Sequence, residues 1–199
     1  MLRSARNQVR FMREFLRNPG EVGAVAQSSA GLSRGMIAHL GAIAPGSTII
    51  ELGPGTGVFT ERLIAAHPEC RIVSVECNAS FCASLSERFP SIEVIQGCAS
   101  ELRAHIQALG REVSEVAGVV SGLPFLSLPQ ELGERILAAV VDVLDPGQRF
   151  VTFTYSKRAW RDVDTGLLQR LPTQRVWMNL PPAHVLPFER QAAPADLAA

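Results

Sequence analysis

The chain has 199 residues and almost no lysine: Lys157 is the single lysine among 19 basic residues, and the rest are arginine. So lopsided a ratio reflects codon usage. Net charge is also lacking, because 19 acidic residues balance the 19 basic ones. That excludes a chain-wide basic field of the kind that draws nucleic acid to a protein. The four cysteines, Cys70, Cys77, Cys82 and Cys98, form no CxxC pair and have no adjacent histidine. Neither a zinc site nor a disulfide framework is expected, and the thiols read as reduced groups in a core or near a site. No apolar run reaches the ~20 residues that span a bilayer. The N-terminus is basic, but charges interrupt the apolar stretch that a signal peptide requires. Together these absences predict a cytoplasmic protein that meets a membrane only at its surface. No histidine falls on a motif loop: His39, His67, His105 and His184 read as surface or packing residues, and no metal is expected.

Charge is nonetheless concentrated at one end. Residues 1–35 carry six arginines against Glu14 and Glu21, a net of +4. Arg3, Arg6, Arg10, Arg13 and Arg17 step by three and four residues, and Leu2, Ala5, Val9, Met12 and Leu16 repeat the step one residue earlier. Phe11 and Phe15 widen the apolar side. At about 100° per residue the cations fill an arc of roughly 80° beside a broad apolar face. One reading is a helix over residues 1–18 lying in a membrane interface, with cations among anionic headgroups. The other is a helix that covers the sheet and leaves its arginines in water.

Beyond Asn18-Pro19-Gly20, which breaks that helix, strand-like and helix-like segments alternate. Residues 19–46 read as a helical cap over the site, with small residues through Ser29 and a helical segment near residues 32–40. Strands are predicted at 47–52, 71–76, 92–96, 116–121 and 149–154, with helices of about ten residues between them. Two final strands near 175–179 and 185–189 have no helix between them. This pattern predicts one α/β domain over residues 47–190: a mostly parallel, doubly wound, Rossmann-like sheet with an antiparallel edge. The Ala/Pro-rich tail, 191–199, reads as disordered.

Chemistry concentrates in Glu51-Leu52-Gly53-Pro54-Gly55-Thr56-Gly57. A strand ending in an acid, then G-x-G-x-G, then a helix sets bare backbone against a ligand at the carboxyl edge of a sheet. Glu76 ends the next strand, 19 residues after Gly57, where it can accept from both hydroxyls of a ribose. Nicotinamide enzymes use a related loop. The G-x-G-x-G spacing and the forty-odd residues before the strand favour S-adenosylmethionine.

The region resembles the class I S-adenosylmethionine-dependent methyltransferases, whose fold is a seven-stranded sheet with an antiparallel last strand. The resemblance implies that Gly53, Gly55 and Gly57 line the methionine and ribose, that Glu76 holds the ribose, and that Cys77 and Asn78 flank the adenine. The loop Gly97-Cys98-Ala99-Ser100 departs from the family, because Cys98 stands where an aspartate commonly binds the adenine amine. A backbone group or the Ser100 hydroxyl is expected to substitute. Gln27-Ser28-Ser29 reads either as contact with the methionine carboxylate or as a plain helix cap.

On the acceptor side, Ser121-Gly122-Leu123-Pro124-Phe125 resembles the Asn-Leu-Pro-Tyr element of rRNA adenine dimethyltransferases, with Gly122 in place of the asparagine. Residues 121–129 and 19–29, with Phe153-Thr154-Tyr155-Ser156, resemble bacterial phosphatidylethanolamine N-methyltransferases. That resemblance implies N-methylation of phosphatidylethanolamine by a monomer at an anionic membrane surface, on the inner face of the cell membrane, without nucleic acid as partner. Only a neutral amine has the lone pair to attack a methyl, and a primary ammonium has a pKa near lysine's, about 10.4. The site must therefore accept a proton or select the neutral amine. Tyr155 and Ser121 are the catalytic candidates, with Leu123, Pro124 and Phe125 beside the acceptor. Lys157 and Arg158 are placed to meet a lipid phosphate, and Trp160 to anchor in the headgroup zone or to sit buried in a solvated loop. Two further readings stand beside this one: an RNA adenine methyltransferase and a soluble small-molecule N-methyltransferase.

Overall fold

The computed structural model describes residues 22–125, 128–155, 160, 166–177 and 182–193, with side chains from residue 30 onward. The arginine-rich segment 1–18, the tail from 194, and Lys157 and Arg158 lie outside the described residues.

Five strands form the parallel part of the sheet: β1 (Thr48–Leu52), β2 (Arg71–Glu76), β3 (Glu93–Gln96), β4 (Val116–Ser121) and β5 (Arg149–Thr154). Three more follow, β6 (Leu168–Arg170), β7 (Gln174–Val176) and β8 (Ala183–Arg190). The order is β3-β2-β1-β4-β5-β8-β6, with β7 also on β8. β8 runs antiparallel to β5, as the sequence pattern predicts. One strand was not anticipated. β6 and β7 pair with the two ends of β8, Leu168 opposite Arg190 and Val176 opposite Ala183, so they are pieces of one interrupted row. The break falls at Pro172, which has no N–H to give; Leu171 N–H still reaches the Pro187 carbonyl at 2.9 Å. Eight strands thus fill seven rows.

Helices cover both faces, which is why β1 is buried along its whole length and reads as a β-branched run without alternation. One face packs Ile50, Leu52, Val119 and Phe150 against Leu102 and Ile106 of α4 (Leu102–Ala108) and Ile136, Leu137 and Val140 of α5 (Gln130–Val143). The other packs Ile49, Ile72, Val120 and Val151 against Leu63 of α2 (Val58–Ala66) and Leu32, Met36 and Leu40 of α1 (Val22–His39). α3 (Ala79–Arg88) follows β2. No described helix is long and apolar enough to cross a membrane.

Helix α1 begins ten residues before the predicted segment. Its glycines explain how it lies so close: a Cβ at Gly31 would sit 3.2 Å from Val176, and one at Gly35 3.1 Å from Val185. At its other end Leu40 touches Gly118 of β4, and the His39 carbonyl accepts from Arg149 at 3.2 Å. The helix therefore runs opposite to the parallel strands, with its N-terminal turns at their carboxyl edge. Gln27, Ser28 and Ser29 lie inside it, which removes the reading of them as its cap.

Trp160 is a correction. Its side chain is 1% exposed, its ring 5.7 Å from that of Phe188 and edge-on to Phe125 at 5.4 Å. It is core rather than a headgroup anchor, because the aromatic surfaces of β5 and β8 enclose it. Phe188, wholly buried, stacks on Phe150 at 5.8 Å and ties these rings together. Phe188→Ala should lower unfolding free energy by about 3–5 kcal/mol in urea titration, since a buried aromatic leaves both lost transfer energy and a cavity.

Candidate active site

The strand order reverses between β1 and β4, so the loops after these two strands open at the switch point where ligands bind in such sheets. The loop after β1 takes its shape from three glycines in the left-handed region: Gly53 (φ 66°), Gly55 (φ 54°) and Gly57 (φ 78°). Gly57 caps α2, and a Cβ there would lie 2.7 Å from Phe89 and 2.8 Å from Leu85. Glu76 ties the loop from the side. Its Oε2 accepts from Gly55 N–H at 3.2 Å and its Oε1 from Asn78 N–H at 2.9 Å. Arg88 donates to the Thr56 carbonyl at 2.5 Å. Pro54 is buried against the fold and Thr56 is exposed.

Glu51 lies beneath this loop. It is 1% exposed, and its carboxylate accepts from the Thr60 hydroxyl at 2.9 and 3.0 Å and from the Ser74 hydroxyl at 2.7 Å. Burial pushes its pKa up to about 7; the two hydroxyls oppose the rise, and the nearby charge of Glu76 adds to it. Its expected contact with the cofactor gives way to contact with the scaffold, because the alternation of β1 turns it toward α2.

On the far side, Gly97 follows β3 and rests on the His105 ring, where a Cβ would meet Cε1 at 2.4 Å. His105 Nε2 pairs with the Cys98 carbonyl at 3.0 Å, and the Cys98 thiol meets the Ser100 hydroxyl at 3.0 Å. Ala99 is buried in the core. The Asn78 side chain caps α3 by accepting from Ser80 and Phe81 N–H groups. Burial, and then the charge of Glu76, push the Cys77 and Cys82 thiols up, so they stay protonated and unreactive near neutral pH.

The loop after β4 packs directly on the glycine loop. Gly122 N–H donates to the Leu52 carbonyl at 2.8 Å, and a Cβ on Gly122 would lie 2.8 Å from the Gly53 carbonyl oxygen. In return a Cβ on Gly53 would lie 2.5 Å from Leu123. Ser121 is wholly buried and its hydroxyl accepts from Leu123 N–H at 3.1 Å. It is occupied in shaping the turn, which corrects the catalytic role expected of it. Phe125 is likewise engaged from below, edge-on to Phe150 at 5.9 Å and to Trp160. Tyr155, one residue past β5 on the same edge, is 46% exposed and edge-on to Phe153 at 5.6 Å.

No protein-family model matches the chain. It is 33% identical over 149 residues to an ornithine lipid N-methyltransferase of Singulisphaera acidiphila, covering 72% of this chain and 76% of that one. The chain belongs to the S-adenosylmethionine-dependent methyltransferases. A probable ribosomal RNA small subunit methyltransferase A of Methanosarcina acetivorans is 33% identical over 95 residues, but those cover only 32% of that protein. Among solved structures, the 1,6-didemethyltoxoflavin-N1-methyltransferase of Burkholderia thailandensis, with bound S-adenosylhomocysteine, superposes with a TM-score of 0.67 at 16% identity. That superposition covers 95% of this chain and 89% of the other, and shows the shared fold.

The cofactor of the methyltransferase is S-adenosylmethionine, and the cradle fits it. Backbone lies bare at Gly53 and Gly55, Glu76 retains lone pairs beyond the two N–H groups it accepts, and an exposed Gly122 lies opposite. Thr60 and Ser74 support the site without having been singled out in the sequence, and His105, read there as a surface or packing residue, packs under Gly97. None is adjacent to a motif, and only the fold brings them under one.

Two outcomes test this arrangement. Gly122→Ala should leave the protein folded but lower kcat/KM at least about tenfold, because the new methyl displaces the Gly53 backbone. Glu51 has the second signature. The native state holds a proton that the unfolded chain, with an ordinary value of 4.5, has released between about pH 4.5 and 7. Stability from this group therefore falls as pH rises through that window and levels off above it. Thermal denaturation of Glu51→Gln should lack that slope, gaining on the parent by roughly 3 kcal/mol at most across the window.

Proposed function

We propose that this methyltransferase transfers methyl groups to the primary amine of phosphatidylethanolamine at the surface of an anionic membrane. Its products are the monomethyl and dimethyl lipids and phosphatidylcholine. S-adenosylmethionine supplies an electrophilic sulfonium methyl, leaving S-adenosylhomocysteine. The chain's own contribution is to bring a neutral amine to the cradle and hold it there. A flexible primary amine needs depth and exclusion of water more than a planar clamp, since positioning carries most of such a transfer.

The observation that carries this reading is the contact of Gly122 with the Gly53 carbonyl. An enzyme that grips a planar adenine amine by a side chain has no room for one at position 122. A small tetrahedral amine needs none: the carbonyls of Gly122 and Leu123 can accept its hydrogens. Tyr155 stands exposed on the neighbouring strand end, where its hydroxyl orients the amine and relays its proton toward solvent. Partial desolvation by Leu123 and Pro124 favours the neutral form of the amine. The arginine-rich segment 1–18 supplies the tether to anionic headgroups, and the protein works from the inner face of the membrane.

A second reading has its own support. Ornithine lipid also presents a primary amine on a membrane lipid, and the Singulisphaera acidiphila relative is named for it. Both lipids offer a primary amine as nucleophile. An RNA substrate is disfavoured by the backbone wall at position 122 and by zero net charge.

Purified protein incubated with radiolabelled S-adenosylmethionine and vesicles containing phosphatidylethanolamine should yield labelled methylated lipid on thin-layer chromatography. Label confined to ornithine lipid in mixed vesicles moves the assignment to the second reading. Label on ribosomal RNA with none on lipid rejects both.

A further inference from the structure

The large apolar side chains that stand exposed among the described residues are Tyr155, at 46%, and Trp177, at 70%. They come from segments separated in sequence, yet both lie on the active-site rim. β5 and β7 each pair antiparallel with β8, so they run parallel to one another and end at the same edge. Thr154 lies opposite His184 and Val176 opposite Ala183, which brings Tyr155 level with Val176 and puts Trp177 one residue beyond. With β8 between them, the two strand ends stand roughly 10 Å apart. Gly53, Glu76 and Gly122 open on that same edge.

Trp177 does not stand alone. The Arg175 guanidinium lies over its ring, 3.6 Å from the centroid. Two residues apart, Arg175 and Trp177 share one side of β7, while Val176 between them is buried against α1 at Gly31 and Gly35. The strand is thereby anchored on one side and presents a cation stacked on an indole on the other. A half-polar ring with a guanidinium on its face suits the depth where a bilayer passes from acyl chain to phosphate. The exposed apolar area is one indole and half a phenol. That is far below the ~800 Å² per partner that a stable protein interface covers, but it is enough for a bilayer, where a single ring adds to binding.

We infer that Trp177, with Arg175 stacked on it, is a membrane-contact point that seats the active-site rim on the bilayer, independently of segment 1–18. The inference rests on the lipid-substrate reading for its purpose, though not for its geometry. It also gives the rim an orientation: Arg175 meets lipid phosphate while Trp177 enters the layer beneath it. A lipid amine then reaches Tyr155 and the cradle without leaving the membrane.

The chain has two tryptophans, and the buried Trp160 serves as an internal reference. Full-length protein is mixed with vesicles of phosphatidylethanolamine and phosphatidylglycerol whose acyl chains carry bromine. Trp177 emission should be quenched and blue-shifted, and Trp177→Phe should abolish both changes while keeping an aromatic ring. Trp177→Ala should weaken vesicle binding about tenfold. It should slow methylation of vesicle lipid to a similar degree while leaving the rate on a water-soluble short-chain phosphatidylethanolamine within about twofold. Vesicle-bound protein whose Trp177 emission is unquenched overturns the inference. So does emission already blue-shifted before lipid is added, which would mean that the chain itself covers the ring. Quenching without methyl transfer to any lipid leaves the contact standing and rejects only the substrate reading.

Discussion

The contact between the loops after β1 and β4 governs the rest of this site. Two glycines face each other there, with the Gly122 N–H on the Leu52 carbonyl and the Gly53 carbonyl where a Cβ of Gly122 would lie. Backbone packed on backbone cannot be relaxed by rotating a side chain. Any change in the distance between these strands is transmitted directly to both loops together. Leu123 closes the contact from above by filling the space that a Cβ on Gly53 would take. From below, the Ser121 hydroxyl fixes the turn and Phe125 reaches into the aromatic cluster with Phe150, Trp160 and Phe188. A rigid apolar interior thus sets the position of a polar, solvent-facing rim.

The two glutamates near adjacent strand ends divide the remaining work by the partners they take. Glu76, the last residue of β2, accepts from backbone N–H groups of the loops it joins, Gly55 and Asn78. Glu51, one strand over, accepts from hydroxyls of α2 and β2. The first group ties two loops together, and the second holds the first turn of α2 against the sheet. Identical chemistry at two neighbouring strands therefore makes two different ties, one within the loops and one between helix and sheet.

Much of this was legible because the signals are local. The G-x-G-x-G spacing, the acid at the end of β2 and the β-branched runs are each read within a few residues, and each stands where the pattern places it. What was missed or left open depends on distant parts of the chain. Thr60 and Ser74 meet Glu51 only because α2 and β2 fold back over β1, nine and 23 residues along. His105 lies under Gly97 because α4 returns beneath β3. Trp160 is core because Phe188 arrives from β8, and no property of its own neighbourhood shows that. The early turns of α1 carry glycine and serine, which weaken a helix reading until the sheet supplies a surface close enough to need small residues. β6 is only three residues long and shows no alternation to read.

The interruption at Pro172 bears on self-association. An open sheet ends in strands whose unpaired N–H and C=O groups template the addition of another chain. Here the outer row is cut into two three-residue pieces, Leu168–Arg170 and Gln174–Val176, with arginine in each. At the opposite margin β3 has only four residues, and its Glu93 is engaged by Arg111. Neither margin offers a foreign strand a long, flat, uncharged ladder. Among the described residues, both borders of the sheet are thus guarded from edge-to-edge polymerisation by brevity, proline and charge.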